Sequence, residues 1–137
     1  THTLQAEFDR LRDYLALMDV RMGPRLQYAL DLPTHLANQT VPTLLLQPLV
    51  ENAIQHGLEP KVEGGSIFVS ANQEGDILVL EVEDTGVGLR GLDTGGTGFG
   101  LAQVRERLAT LYGVRGQIEL LDNPAGGTRV VVQLPTA

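Results

Sequence analysis

Apolar residues recur along this chain with two periods, and the changes of period divide it into elements. Residues 3–22 carry Leu4, Phe8, Leu11, Leu15, Met18 and Met22 at spacings of 4-3-4-3-4, the a/d seam of an amphipathic helix. Glu7, Asp9, Arg10, Arg12, Asp13, Asp19 and Arg21 fall to its other faces. Fewer than three heptads cannot stand alone as a coiled coil. The helix is therefore either a core helix of this domain or the end of a longer dimerisation helix, and the narrow seam favours the second. Gly23-Pro24 ends it. In residues 25–32 the period drops to two, with Leu26, Tyr28, Leu30 and Leu32 in alternation, which predicts a half-buried strand.

Helical spacing returns at 44–57, for which Thr43 offers an N-cap. Leu44, Leu45, Leu49, Ala53 and Ile54 make one face, widened by Leu46 and Val50. Gln47, Glu51, Asn52, Gln55 and His56 make the other, and Gly57 is a stop. Taken alone this is a core helix buried against a sheet. After a polar loop, residues 66–72 and 77–84 read as an antiparallel hairpin turned at 73–76. Residues 89–96 have no period and three glycines, which marks a loop. Residues 99–112 form a helix whose buried stripe is Leu101, Val104, Leu108 and Leu111, closed by Gly113. Strands at 117–121 and 128–134 flank a turn at 123–127. This order predicts a two-layer α/β sandwich with a mixed sheet, not a doubly wound parallel one.

Composition narrows the function. A chain of 137 residues fits one domain with a real core. No apolar run approaches the roughly 18 residues that span a bilayer, and no signal peptide is visible, so any membrane attachment is expected outside this chain. Without cysteine, thiol and disulfide chemistry are excluded. A net charge of −7 with no basic patch argues against nucleic acid. An acidic chain that binds a polyanion must use backbone amides and a metal. Seven of the sixteen glycines fall within residues 86–100, and that clustering is informative.

Several chemistries fail on context. Gly86-Val-Gly88-Leu-Arg-Gly91 has the GxGxxG spacing, but Leu92-Asp-Thr-Gly-Gly follows where a dinucleotide fold needs a starting helix. No P-loop pattern occurs, no zinc spacing links His2, His35 and His56, and no GxSxG surrounds Ser66 or Ser70. What remains is an ordered set. Asp84, ending a strand, can accept a proton from an exocyclic amine such as that of adenine. Gly86 and Gly88 let backbone approach a ring. Gly98 and Gly100 open a helix whose free N–H groups can cradle phosphate. Asn52 offers a neutral oxygen to Mg²⁺.

Leu46-Gln-Pro-Leu-Val-Glu-Asn-Ala-Ile-Gln-His-Gly57, Asp84-Thr-Gly-Val-Gly88 and Gly96-Thr-Gly-Phe-Gly-Leu101 resemble the N, G1 and G2 boxes of histidine kinase ATP-binding domains, especially the LytS-like branch. The resemblance runs from residue 4 to Leu134 and implies the Bergerat (GHKL) fold, ATP and Mg²⁺. It implies that Asn52 binds the metal, that His56 approaches the phosphates, and that Asp84 binds the adenine amino group. Gly86, Gly88, Gly96, Gly98, Gly100 and Leu101 would shape the pocket, Thr128 would reach adenine through water, and residues 89–97 would be a short lid. Glu51, beside Asn52, joins the catalytic group with a local hydrogen-bonding role. Residues 1–23 resemble the C-terminal part of a dimerisation helix, and 24–137 the catalytic domain. The expected partners are the protein's own phosphoacceptor region, a response regulator and, in the full-length protein, a second copy. The expected setting is cytoplasmic, as part of a membrane-bound sensor.

The departures matter equally. Nothing in the chain matches the phosphoacceptor pattern of the family, and His2, near the chain end, is expected to be exposed and inert. The F box of many sensor kinases is missing. Gyrase- and Hsp90-like ATPases place a water-activating glutamate four residues before the metal-binding asparagine, where this chain has Pro48. Transfer to a histidine therefore fits better than hydrolysis. The alternatives are a serine kinase of the anti-sigma-factor type and a non-catalytic nucleotide-sensing or dimerisation module.

Overall fold

A computed structural model describes residues 1–88 and 98–136, the side chains of 98–100 excepted. Five strands form one sheet: β2 (Leu26–Asp31), β4 (Gly65–Glu74), β5 (Ile77–Asp84), β6 (Gln117–Asp122) and β7 (Thr128–Pro135), in the order β2-β4-β5-β7-β6. Only the β2–β4 pair is parallel. Parallel neighbours need a crossover, and here it contains α2 (Gln47–Asn52), which runs on as a π-helical turn, Ala53–Leu58. The remaining strands join as the two predicted hairpins. Helices α1 (Leu4–Met22) and α3 (Gly98–Tyr112) complete the helical layer. Its residues share one core with the inward-facing positions Ile67, Val69, Leu80, Val82, Val130 and Val132. The outward face mixes polar positions, where Arg129 donates to Glu81 at 2.7 Å, with apolar ones such as Phe68 and Val131. The expected two-layer α/β sandwich with a mixed sheet is what forms.

The ends of α1 follow from sequence chemistry. Thr3 Oγ1 accepts from Ala6 N–H at 3.1 Å, and Gly23, at φ +62°, closes the helix. Its seam is buried against this chain's own core: Leu4, Phe8, Leu11 and Leu15 are wholly enclosed. Leu17 and Val20 on the opposite side stand exposed. A two-residue ribbon, β1 (His2–Thr3) against β3 (Thr40–Val41), ties the start of α1 to the segment leading into α2.

Four expectations need correction. Glu7 is not on a solvent face but wholly buried, because its carboxylate receives the N–H groups that begin α2. His2 is not inert, since its ring lies 2.6 Å from Glu7 Oε1. The central helix begins at Gln47 rather than 44, and Thr43 does not cap it: the Thr43 and Leu44 carbonyls accept from Arg107, and Leu44 takes φ +60°, off the helical path. Leu111 is 54% exposed, and it is its neighbour Tyr112 that packs against the core at this end of α3.

Candidate functional site

The predicted site residues arrive on three elements. Asn52 ends the α-helical part of α2, Asp84 ends β5, and Thr128 starts β7. β5 and β7 pair directly, Glu83 facing Arg129, so their site residues lie near one another at one end of the sheet. Asn52, Asp84, Leu101 and Thr128 line one narrow cleft, floored by Leu49, Ala53, Val82 and Val130. Three of the predicted boxes therefore converge on one apolar slot with a carboxylate and an amide in its wall. The slot encloses about 20 Å³, so it marks where these side chains meet, and its walls would have to part for a flat ring to enter.

Asp84 is 6% exposed. Its Oδ1 accepts from Gly86 N–H at 2.8 Å, and the Thr128 amide also bonds the carboxylate. Burial pushes its pKa above the ordinary 3.8, while those amides and Lys61 oppose the shift. Two backbone donors on a carboxylate leave it acceptor capacity for a ligand donor.

The loop after Asp84 owes its shape to close packing. A Cβ on Gly86 would lie 2.3 Å from the Gly57 carbonyl oxygen, so this glycine is required by contact with the π-helical turn, not only by a ligand. Val87 N–H donates to that same carbonyl at 3.0 Å, joining the end of α2 to the loop. Gly88 takes φ +83°, a backbone open to glycine.

The other expected residues divide. His56 lies half-buried in the π-helical turn, four positions beyond Asn52; such turns concentrate at functional sites. Glu51 accepts from Gln47 Nε2 at 3.2 Å and lines the groove between α1 and α2, with Arg10, Asp13 and Tyr14. It is not among the residues of the cleft. The backbone of Gly98 and Gly100 begins α3, as expected. Gly96 and the proposed lid, 89–97, lie outside the described residues.

Four supporting residues escaped sequence reasoning. Asn123 Nδ2 donates to the Asp84 carbonyl at 2.9 Å, fastening the β6–β7 turn to the site. Lys61 Nζ reaches the Thr85 carbonyl at 2.9 Å. Arg25 donates to the carbonyls of Glu59, Lys61 and Val62. Glu7 holds the other end of α2. Only Asn123, in a turn-rich stretch, carried a local signal; the rest act across 24 or more residues of chain.

Residues 37–137 match the family described as histidine kinase-, DNA gyrase B- and HSP90-like ATPases. Among curated proteins, the chain is 35% identical over 136 residues to the sensor histidine kinase YesM of Bacillus subtilis. It is 36% identical over 133 residues to the sensor histidine kinase BtsS of Escherichia coli. Each match covers 97% of this chain but 24% of the relative, so the chain spans about a quarter of their length. Among solved structures, the catalytic domain of the histidine kinase ThkA superposes with a TM-score of 0.69 at 17% identity, covering 94% of both chains. The blue-light activated histidine kinase of Erythrobacter litoralis also gives 0.69, at 20% identity, over 97% of this chain and 42% of that one. Convergent cleft, sheet order and sequence match agree: the chain belongs to the family of histidine kinase-, DNA gyrase B- and HSP90-like ATPases.

Proposed function

We propose that this chain is the ATP-binding catalytic domain of a two-component sensor histidine kinase, which passes the γ-phosphate of Mg²⁺-ATP to a histidine on a dimerisation hairpin. The observation that carries the reading is the meeting of Asn52, Asp84 and Thr128 in one apolar slot. Asp84 accepts from the adenine amino group, Thr128 supports that edge, and Leu101 with Val82 and Val130 packs the ring. The start of α3 presents backbone N–H groups to the phosphates. Asn52 contributes an oxygen to Mg²⁺, and His56 lies one helical turn farther on. Mg²⁺, when bound, neutralises the β- and γ-phosphates. Among the described residues no group of three His, Asp or Glu can hold a metal unaided, so the ion's remaining ligands must come from phosphate and water.

Pro48 stands in the first turn of α2, where a hydrolytic relative would hold its glutamate. That supports transfer to a protein acceptor over hydrolysis. The acceptor histidine, the response regulator and a second copy belong to the whole protein. Helix α1 is a core helix of this domain by its buried seam, and we give it a second role as the end of the dimerisation helix. With its seam turned inward, the exposed Leu17 and Val20 are left to meet that region. No helix among the described residues is long and apolar enough to cross a membrane. A position on the cytoplasmic side of a membrane-bound sensor is part of the same proposal and is supported by the likeness to sensor kinases.

Calorimetry with ATP, with and without Mg²⁺ and with GTP as comparison, tests the pocket. Metal-assisted, adenine-selective binding is expected, and indifference between ATP and GTP would refute the Asp84 assignment. Adding a hairpin with its histidine in trans should then yield acid-labile phosphohistidine. Phosphate appearing on serine instead would favour the serine kinase reading.

A further inference from the structure

Glu7 is the one wholly buried charged side chain among the described residues, and it is not among the residues that line the nucleotide cleft. Its Oε2 accepts from Leu46 N–H at 2.7 Å and from Gln47 N–H at 3.4 Å. Its Oε1 lies 2.6 Å from His2 Nε2. These contacts join β1, α1 and the first turn of α2. They span about 40 residues of chain, in accord with the separation of Glu7 and Gln47.

The helix so capped has no side-chain cap of its own. Without Glu7, the Leu46 N–H would be buried with no partner, and a buried carboxylate is itself costly unless fully bonded. A well-packed apolar contact would be the cheaper way to join two helices, so the charge is retained for what it orients. Asn52 lies five residues beyond Gln47, about 7.5 Å along the axis. At the far end of the same segment, Arg25 holds the carbonyls of Glu59, Lys61 and Val62. The segment that carries Asn52 and His56 is thus gripped by a carboxylate at its N-terminus and a guanidinium at its C-terminus. Both signs suit the helix dipole.

We propose that Glu7, oriented by His2, is a positioning residue for Asn52: its carboxylate sets where α2 begins and thereby where the Asn52 side chain stands across the cleft from Asp84. Because His2 belongs to β1, a shift of that ribbon is carried through Glu7 to the metal-binding side of the site while the Asp84 side is left in place. The proposal rests on the assignment of Asn52 to Mg²⁺.

The test is calorimetry of ATP binding in Mg²⁺ and in EDTA, the ratio of the two affinities being the Mg²⁺ increment. Asn52→Ala should abolish the increment. Glu7→Gln, which takes the charge from the bonds to the Leu46 and Gln47 amides, should cut it about tenfold and leave metal-free affinity unchanged. In the Asn52→Ala background, Glu7→Gln should have no further effect on it. An increment that survives Asn52→Ala overturns the assignment of Asn52 and the proposal with it. An increment lost in Asn52→Ala but intact in Glu7→Gln, or a Glu7→Gln loss equal with and without metal, overturns the proposal alone. Should Glu7→Gln fail to fold by circular dichroism, His2 decides. His2→Ala, which keeps the cap on Leu46, should lower the increment about threefold, the worth of one hydrogen bond. His2→Gln, which can donate to the same oxygen, should restore it. An unchanged increment in His2→Ala overturns the proposal.

Discussion

Asp84 shows how one residue serves the fold and the ligand in opposite senses. Burial raises its pKa above 3.8, so the folded chain holds the proton more tightly than the unfolded chain does. Its contribution to stability is therefore full below the unfolded value and is lost as pH rises through the folded one. Wherever the carboxyl is ionised, its burial costs the fold stability while it supplies the acceptor that adenine needs. Carboxyl-carbon NMR should place the Asp84 midpoint above 3.8; a lower midpoint would mean that the Gly86 and Thr128 amides outweigh burial. Asp84→Asn should weaken ATP by about 1.5–3 kcal/mol, roughly 10- to 100-fold, the loss of a hydrogen bond to a charged group. Tyr14 offers a contrasting test. Its hydroxyl is buried with no hydrogen-bond partner among the described residues. Burial, then the charges of Glu51 and Glu59, push its pKa up to about 12. Tyr14→Phe removes an unsatisfied group, so urea unfolding should show a stability unchanged or raised by about 1 kcal/mol.

At the scale of elements, the segment from α2 through the π-helical turn depends most on distant chain. Its own residues specify a helix, with apolar positions at 3.6 spacing and Pro48 in the first turn. Where it starts is decided elsewhere. Arg107 on α3 holds the Thr43 and Leu44 carbonyls, Leu44 is bent to φ +60°, and Glu7 receives the first amides. The periodicity over 44–57 was therefore right in kind and early by three residues. Arg25 performs the matching task at the far end. Arg25→Ala should lower stability by about 1–2 kcal/mol, since it leaves partly buried carbonyls without their charged donor. Arg25→Lys should recover only part of this, because one ammonium cannot span the three acceptors. Full recovery in urea titrations would reduce the role of Arg25 to its charge.

For the whole molecule, the sheet order β2-β4-β5-β7-β6 places the ends of β5 and β7 beside each other, with the α2 crossover laid over them. A nucleotide in the cleft would add a bridge between α2 and the paired strands β5 and β7, so binding should stabilise the domain as a unit. At a hundredfold excess over its dissociation constant, Mg²⁺-ATP should add about 2.7 kcal/mol. A single cooperative melting transition should move upward, with a smaller shift in EDTA and none with GTP. A split transition would mean that α1 and the sheet unfold separately.

The chain's local chemistry determined most of the elements and nominated the candidate site. Alternation and helical spacing placed the strands of both hairpins and the three helices. The spacing of Asn52, Asp84 and the glycines pointed to a nucleotide cleft before any contact was known. Such signals are local, because a helix face, a strand face or a glycine turn is written within a dozen residues. The tertiary structure decided what depends on residues far apart in the chain. It turned the seam of α1 inward, buried Glu7 against the start of α2, and drew His2 onto that carboxylate. It also turned Glu51 away from the cleft, and made Gly86 a packing requirement against Gly57. The contacts of Glu7 with α2 and of Gly86 with Gly57 cross tens of residues, are set by how layers stack, and are encoded by no pattern within a single element.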